Sequence, residues 1–191
     1  MTRLPLICLL VALSTPAAAD WVLDNDASRL SFVTTKANVA AEVHRFRSLE
    51  GNVDERGNAT VAIDLNSVDT SIEIRDERMR EMLFETEKYP TATLAATIDM
   101  NEIKALEPGS KTNILTEAQL QIHGTTVSLT VDLSVARLSE TRVLVASDAP
   151  VIVNAGQSGL AAGVERLREV AGLPSISPAV PVTFVLAFDD R

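Results

Sequence analysis

Few side chains in this sequence could do covalent or acid–base chemistry: His44, His123, the single Cys8, and Ser158 within Gln157-Ser158-Gly159. A zinc centre would need a third protein ligand at matched spacing, and neither a His-x-x-x-His pattern nor a cysteine pair is present. Ser158 stands outside any Gly-x-Ser-x-Gly elbow and has no base beside it in sequence. No metal site and no catalytic residue is therefore expected, and only neighbours brought in by folding could make His44 or His123 reactive. His44 shares a strand face with Glu42 and Phe46 and reads as a rim residue. His123-Gly124 reads as a hairpin turn, where a histidine more often bonds the backbone. Arg75 offers anion recognition instead, since a guanidinium near a helix start would add its paired donors to a terminus that favours negative charge. The same arginine could simply hold its loop by pairing with Asp69 or Asp76. Arg45, Arg47, Arg78 and Arg80 read as solvated.

The amino terminus carries an address. Arg3, the apolar run Leu4–Leu13 and Ala17-Ala18-Ala19 follow the order of a secretory signal peptide, with cleavage expected after Ala19. That run is about 10 residues, against the roughly 20 a spanning helix needs. Two segments are thus expected: a leader over 1–19 and one domain over 20–191, with no membrane span after leader removal and a periplasmic location. Cys8 leaves with the leader, which excludes disulfides and thiolate chemistry from the remaining domain of about 170 residues. A single hydrophobic core suffices at that size. Losing Arg3 takes the formal charge from -9 to -10, which disfavours nucleic acid and anionic membrane surfaces as partners.

Alternation dominates the rest. Ala118, Leu120 and Ile122 lie opposite Glu117, Gln119 and Gln121. Beyond the His123-Gly124 turn, Val127, Leu129, Val131, Leu133 and Val135 lie opposite Ser128, Thr130, Asp132 and Ser134. A period of two places one set on a buried face, so this is a hairpin. The same pattern runs through Leu30–Thr34, Val61–Leu65, Ala92–Ile98 and Val182–Phe188, and about eight strands fit. Glu55-Arg56-Gly57-Asn58 and Glu107-Pro108-Gly109-Ser110 supply tight turns, so neighbouring strands pair antiparallel. Two stretches switch to helical spacing. One is Ile72–Phe84, opened by Thr70 and Glu73 at capping-box distance; the other is Leu160–Ala171, ended by Gly172 and Pro174.

An all-β chain of this length closes on itself or packs as a sandwich, because closure removes exposed edges. An eight-stranded antiparallel barrel with one or two short helices is therefore expected, its interior either filled or holding one small ligand. Aromatics make up only 4% of the chain and several inward positions are small, Ala92, Ala96 and Ala118 among them. Small walls leave room, and they equally suit a narrow packed barrel.

Several blocks then carry a resemblance across nearly the whole domain. They are Trp21-Val22-Leu23-Asp24, Ser28-Arg29-Leu30-Ser31-Phe32, Phe46 with Gly51 and Val53, Asn66-Ser67-Val68-Asp69-Thr70, Arg75-Asp76-Glu77-Arg78-Met79, Phe84, Lys88-Tyr89-Pro90 and Leu120-Gln121-Ile122-His123-Gly124. In this order they resemble the YceI-like family, exported proteins with a lipocalin-like barrel that bind polyisoprenoids or related lipids. The segment Val153–Leu160 departs from an Arg-Asp-Phe-Gly stretch that many members carry, so family contacts made there do not transfer.

The resemblance implies a binding or carrier protein whose ligand is a long apolar lipid, a polyisoprenoid or an isoprenoid quinone, with no other cofactor. The tail would lie against Phe32, Phe46, Leu94, Leu120, Ile122, Leu129 and Phe184, under a helical cover of Met79, Met82 and Phe84, with Arg75 at the head group. Both methionines suit a ligand of variable shape and serve equally as core filler. The family resemblance is compatible with a homodimer, on which periodicity is silent. Three classes remain open on sequence: a lipid carrier, an envelope enzyme acting on such a lipid through His44 or His123, and a packed barrel that acts by protein interaction.

Overall fold

The computed structural model describes residues 19–37 and 39–191. The signal peptide expected over 1–19, with Cys8, lies outside the described residues except for Ala19. In chain order the strands are β1 (Ala19–Lys36), β2 (Ala40–Phe46), β3 (Leu49–Asp54), β4 (Asn58–Asp64), β5 (Val68–Asp69), β6 (Thr91–Thr97), β7 (Lys111–Ile122), β8 (Thr125–Ser139), β9 (Arg142–Ser147), β10 (Val151–Asn154) and β11 (Ala179–Asp190). The helices are α1 (Glu73–Arg78), continued by a π-helical turn over Met79–Phe84, then α2 (Met100–Lys104) and α3 (Ala161–Val170).

Eight strands close a ring in the order β1–β3–β4–β6–β7–β8–β9–β11, and antiparallel pairing of β11 with β1 seals it. The expected eight-stranded antiparallel barrel is thus present, with β2, β5 and β10 as additional strands on one sheet. β1 is long enough to serve two partners: its first residues pair with β3 and its last with β2. Asn25 stitches the junction, its amide donating to the Arg47 carbonyl while its Oδ1 accepts from the Leu49 N–H at 2.7 Å. β11 is likewise shared between β10 and β9. The barrel therefore extends upward, at the end carrying α1 and α3, into a taller wall than eight equal strands would build.

Alternation sets what faces inward. Ala118, Leu120 and Ile122 are buried and Glu117, Gln119 and Gln121 exposed, as the period of two requires. The turn before β4 depends on Gly57, whose φ of +84° is open to glycine and whose Cβ position lies 1.8 Å from the Ile98 carbonyl oxygen.

The first helical stretch differs from expectation. Thr70 and Glu73 form no capping box; the helix begins after Ile72 with no side-chain cap. Ser71, at φ +62°, turns the chain so that the Asp76 carboxylate reaches back to the N–H and hydroxyl of Thr70. The second stretch matches within a residue at each end, and Gly172 at φ +62° ends it. The short helix α2 buries Met100 and Ile103, but its five residues are too few for a helical period to stand out in the sequence.

Candidate functional site

The upper half of the barrel encloses a cavity of about 360 Å³, within the roughly 300–1,000 Å³ typical of small-molecule sites. Strands β1, β6, β7 and β11 bring Phe32, Leu94, Leu120, Ile122 and Phe184 to its wall, and the α1–π segment brings Arg75, Met79 and Phe84 over it. Phe46 from β2 completes an aromatic run, its ring centroid 5.3 Å from that of Phe32 and 5.7 Å from that of Phe84. Aromatic faces at these separations are favourable beyond the area they bury. The lining becomes half exposed at Ile72 and Ile74, which marks the mouth.

Two expected contacts lie elsewhere. Met82 is half-buried outside the lining because the π-helical turn, with its i→i+5 bonding, rotates it off the face shared by Met79, Leu83 and Phe84. Leu129 faces inward in register with Ala118 and packs against core side chains outside the cavity lining. Conversely, β10 contributes Val151 and Val153, and α3 contributes Val164 and Leu167 together with Leu160 at its N-cap. Helical spacing identified the α3 face; that it would roof a cavity depends on how the helix docks.

Among the described residues the polar lining is Thr34, Lys36, His44, Arg75, Arg78 and Ser177. His44 is not a solvated rim residue: it is 3% exposed, and its Nε2 lies 2.9 Å from the Thr34 hydroxyl. Burial, reinforced by the nearby Arg75 charge, pushes its pKa below the ordinary histidine value, so the ring is neutral at pH 7. Arg75 pairs with neither Asp69 nor Asp76. Its Nη1 donates to Glu42 at 2.6 Å and its Nη2 to the Thr70 carbonyl at 2.7 Å, while Lys36 holds the same Glu42. The correction has a physical reason, for β2 folds back along β1 and carries Glu42 under the helix. Two buried polar atoms here, His44 Nδ1 and Arg75 Nε, have no protein partner among the described residues. Buried polar groups are seldom left so, and both belong to the cavity lining.

Asp69 is occupied otherwise. Arg47 and Arg45 donate to it at 2.9 and 2.8 Å and the Ser71 N–H at 3.0 Å, and these bonds hold its carboxyl well below the usual carboxylate range. Because the folded pKa is depressed, the stability Asp69 adds is fully present above the ordinary Asp value of about 4 and is lost as pH falls toward the folded pKa. The guanidiniums it binds are 52% and 63% exposed, so the gain is screened, and Asp69→Asn is expected to cost about 1–2 kcal/mol. Urea melts should show that loss at pH 7 and a shallower decline on acidification than the wild type. A variant as stable as the wild type at pH 7, declining as steeply on acidification, would refute the assignment.

His123 does not reach the cavity. Its Nε2 lies 3.6 Å from Glu85, its ring packs 4.5 Å from that of Tyr89, and Glu85 also takes Arg166 of α3 at 2.6 Å. These contacts tie the β7–β8 hairpin to the π-helical turn and α3. Among the described residues, no three His, Cys, Asp or Glu side chains converge as a metal site, and no helix is long and apolar enough to cross a membrane.

A closed antiparallel barrel with an apolar interior roofed by helices defines a lipocalin-like barrel protein. The chain belongs to the YceI-like family, whose domain matches residues 21–188. It is 39% identical to a polyisoprenoid binding domain from Saccharophagus degradans implicated in plant cell wall breakdown, covering 91% of this chain and 100% of that one at a TM-score of 0.89. Burkholderia cenocepacia BcnA shares the fold at 19% identity, 86% and 98% coverage and a TM-score of 0.65. A Campylobacter jejuni YCEI protein does so at 12% identity, 78% and 84% coverage and a TM-score of 0.56. Comparison with curated protein sequences gave no match.

Proposed function

We propose that this chain is an exported, periplasmic carrier that sequesters a long apolar lipid, a polyisoprenoid or isoprenoid quinone, in the barrel interior without transforming it. The cavity of about 360 Å³, apolar except near its mouth, is the observation that carries this reading. Each methylene-sized group moved from water into such a wall gains about 0.8 kcal/mol, so a few prenyl units outweigh the cost of immobilising the chain. The Saccharophagus degradans relative, described as a polyisoprenoid binding domain, supports the ligand class. The leader-like residues 1–19 support export.

His44 and Arg75 would receive the head group, each with a buried nitrogen that has no protein partner among the described residues. A hydroxyl or carbonyl fits a neutral histidine, which can offer or accept one hydrogen bond at Nδ1. His44→Leu should therefore weaken binding of a prenyl alcohol by roughly tenfold while leaving a headless hydrocarbon such as squalene unaffected. Equal losses for both ligands in a fluorescence displacement titration would remove His44 from head-group recognition. The enzymatic alternative loses His123, which lies outside the cavity, and keeps only His44, whose Nε2 is engaged with the Thr34 hydroxyl. The packed-barrel alternative is disfavoured by the open volume.

The deciding experiment is native mass spectrometry of the chain from Asp20 to Arg191, followed by solvent extraction. Recovery of one prenyl lipid or quinone per chain is expected. An empty protein that also refuses added prenyl lipids would sink the carrier reading.

A further inference from the structure

Beneath the cavity lies a second chamber of about 100 Å³ whose lining side chains are all apolar, bordered below by Met100 and Ile103 of α2. The two linings share two residues, Leu94 on β6 and Phe184 on β11. Around the ring these strands are separated by β7, β8 and β9 one way and by β4, β3 and β1 the other, so they stand on opposite sides. Leu94 and Phe184 therefore border both spaces from opposite walls, at the level where one gives way to the other. The room below has a plain origin. Ala59, Ala96 and Ala118 stand in register across β4, β6 and β7, where the row above carries Val61, Leu94 and Leu120. Close-packed interiors leave few voids larger than a water, and a space with so apolar a lining offers a water few partners.

We propose that this lower chamber is a terminal subsite for the distal end of the bound chain, entered by threading between Leu94 and Phe184. It rests on the lipid reading above and deepens it. A chain that ends above Leu94 and Phe184 leaves the chamber empty, and the atoms lining a void lack contact partners on one side. A longer chain moves the two side chains apart, fills the void and restores those contacts. Chain length is thereby selected at Leu94 and Phe184, remote from the polar mouth.

The test measures equilibrium binding of all-trans prenyl alcohols from farnesol to the longest soluble homologues, with wild type and Ala96→Leu. The new leucine side chain occupies the lower chamber. Farnesol should bind both proteins alike, while the longest alcohols bind Ala96→Leu roughly tenfold more weakly. Ala59→Val, filling the same chamber from β4, provides an independent variant should circular dichroism show Ala96→Leu misfolded. Unchanged long-chain binding in a folded variant, or equal weakening at every length, would overturn the subsite while leaving the lipid reading intact. Failure of the wild type to bind any prenyl alcohol would overturn both.

Discussion

Gly163→Val should lower the melting temperature by about 6–12 °C, the equivalent of roughly 3 kcal/mol of overpacking for a domain of this size. Gly163 is the buried residue of α3, and a Cβ there would lie 2.7 Å from the Met82 carbonyl oxygen and 2.8 Å from the Leu83 Cα. Both neighbours are backbone, so no side-chain rotation relieves the clash. Retreat of α3 would strip Leu160, Val164 and Leu167 from the cavity roof and break the Arg166–Glu85 pair. Alanine sharpens the comparison. Helix propensity favours Gly163→Ala by about 1 kcal/mol, whereas the clash costs about 1–3 kcal/mol. The clash should win, giving a smaller fall in melting temperature. A rise on Gly163→Ala would show that close helix contact does not constrain this position.

The second large effect is on binding. Leu120→Trp should weaken a long prenyl ligand by about 10²–10³-fold with the fold retained. Leu120 faces the cavity between Leu94 and Val127 of the adjoining strands, and an indole there occupies the space of about one prenyl unit. Excluding four or five methylene-sized groups at about 0.8 kcal/mol each removes roughly 3–4 kcal/mol of binding energy. Unlike the β-branched side chain at Gly163, the larger ring has open volume to enter. The two substitutions therefore separate cleanly: one moves the melting temperature, the other the dissociation constant. Unaltered prenyl binding by folded Leu120→Trp, measured by displacement of a fluorescent analogue, would place the ligand outside this cavity.

Much of the barrel was legible residue by residue. The alternation in β7 and β8 assigned Ala118, Leu120 and Ile122 to the interior correctly, because successive Cβ atoms on a strand must point to opposite faces whatever the strand packs against. Gly172 marked the end of α3 for an equally local reason, its backbone angle. The α1 cap differs from the expected one because the same Thr70 can donate to Glu73 or to Asp76, and the choice depends on the left-handed turn at Ser71. Met82 was misplaced because helical spacing assumes α-winding, which the chain abandons at Met79.

By itself the sequence determined the strands, their inward faces and antiparallel order, and the resemblance over the domain, since these depend on local geometry and on motifs in line. The tertiary structure alone decided which inward residues border open space. Leu120 meets a cavity while Leu129, equally apolar and inward, meets core, a difference fixed by the summed side-chain volumes around eight strands. It also decided the partners of the charged groups. Glu42 reaches Arg75 across 33 residues, and closure of β1 on β11 joins the two ends of the barrel. Such pairings follow from ring closure and packing, which no pattern along a single strand encodes.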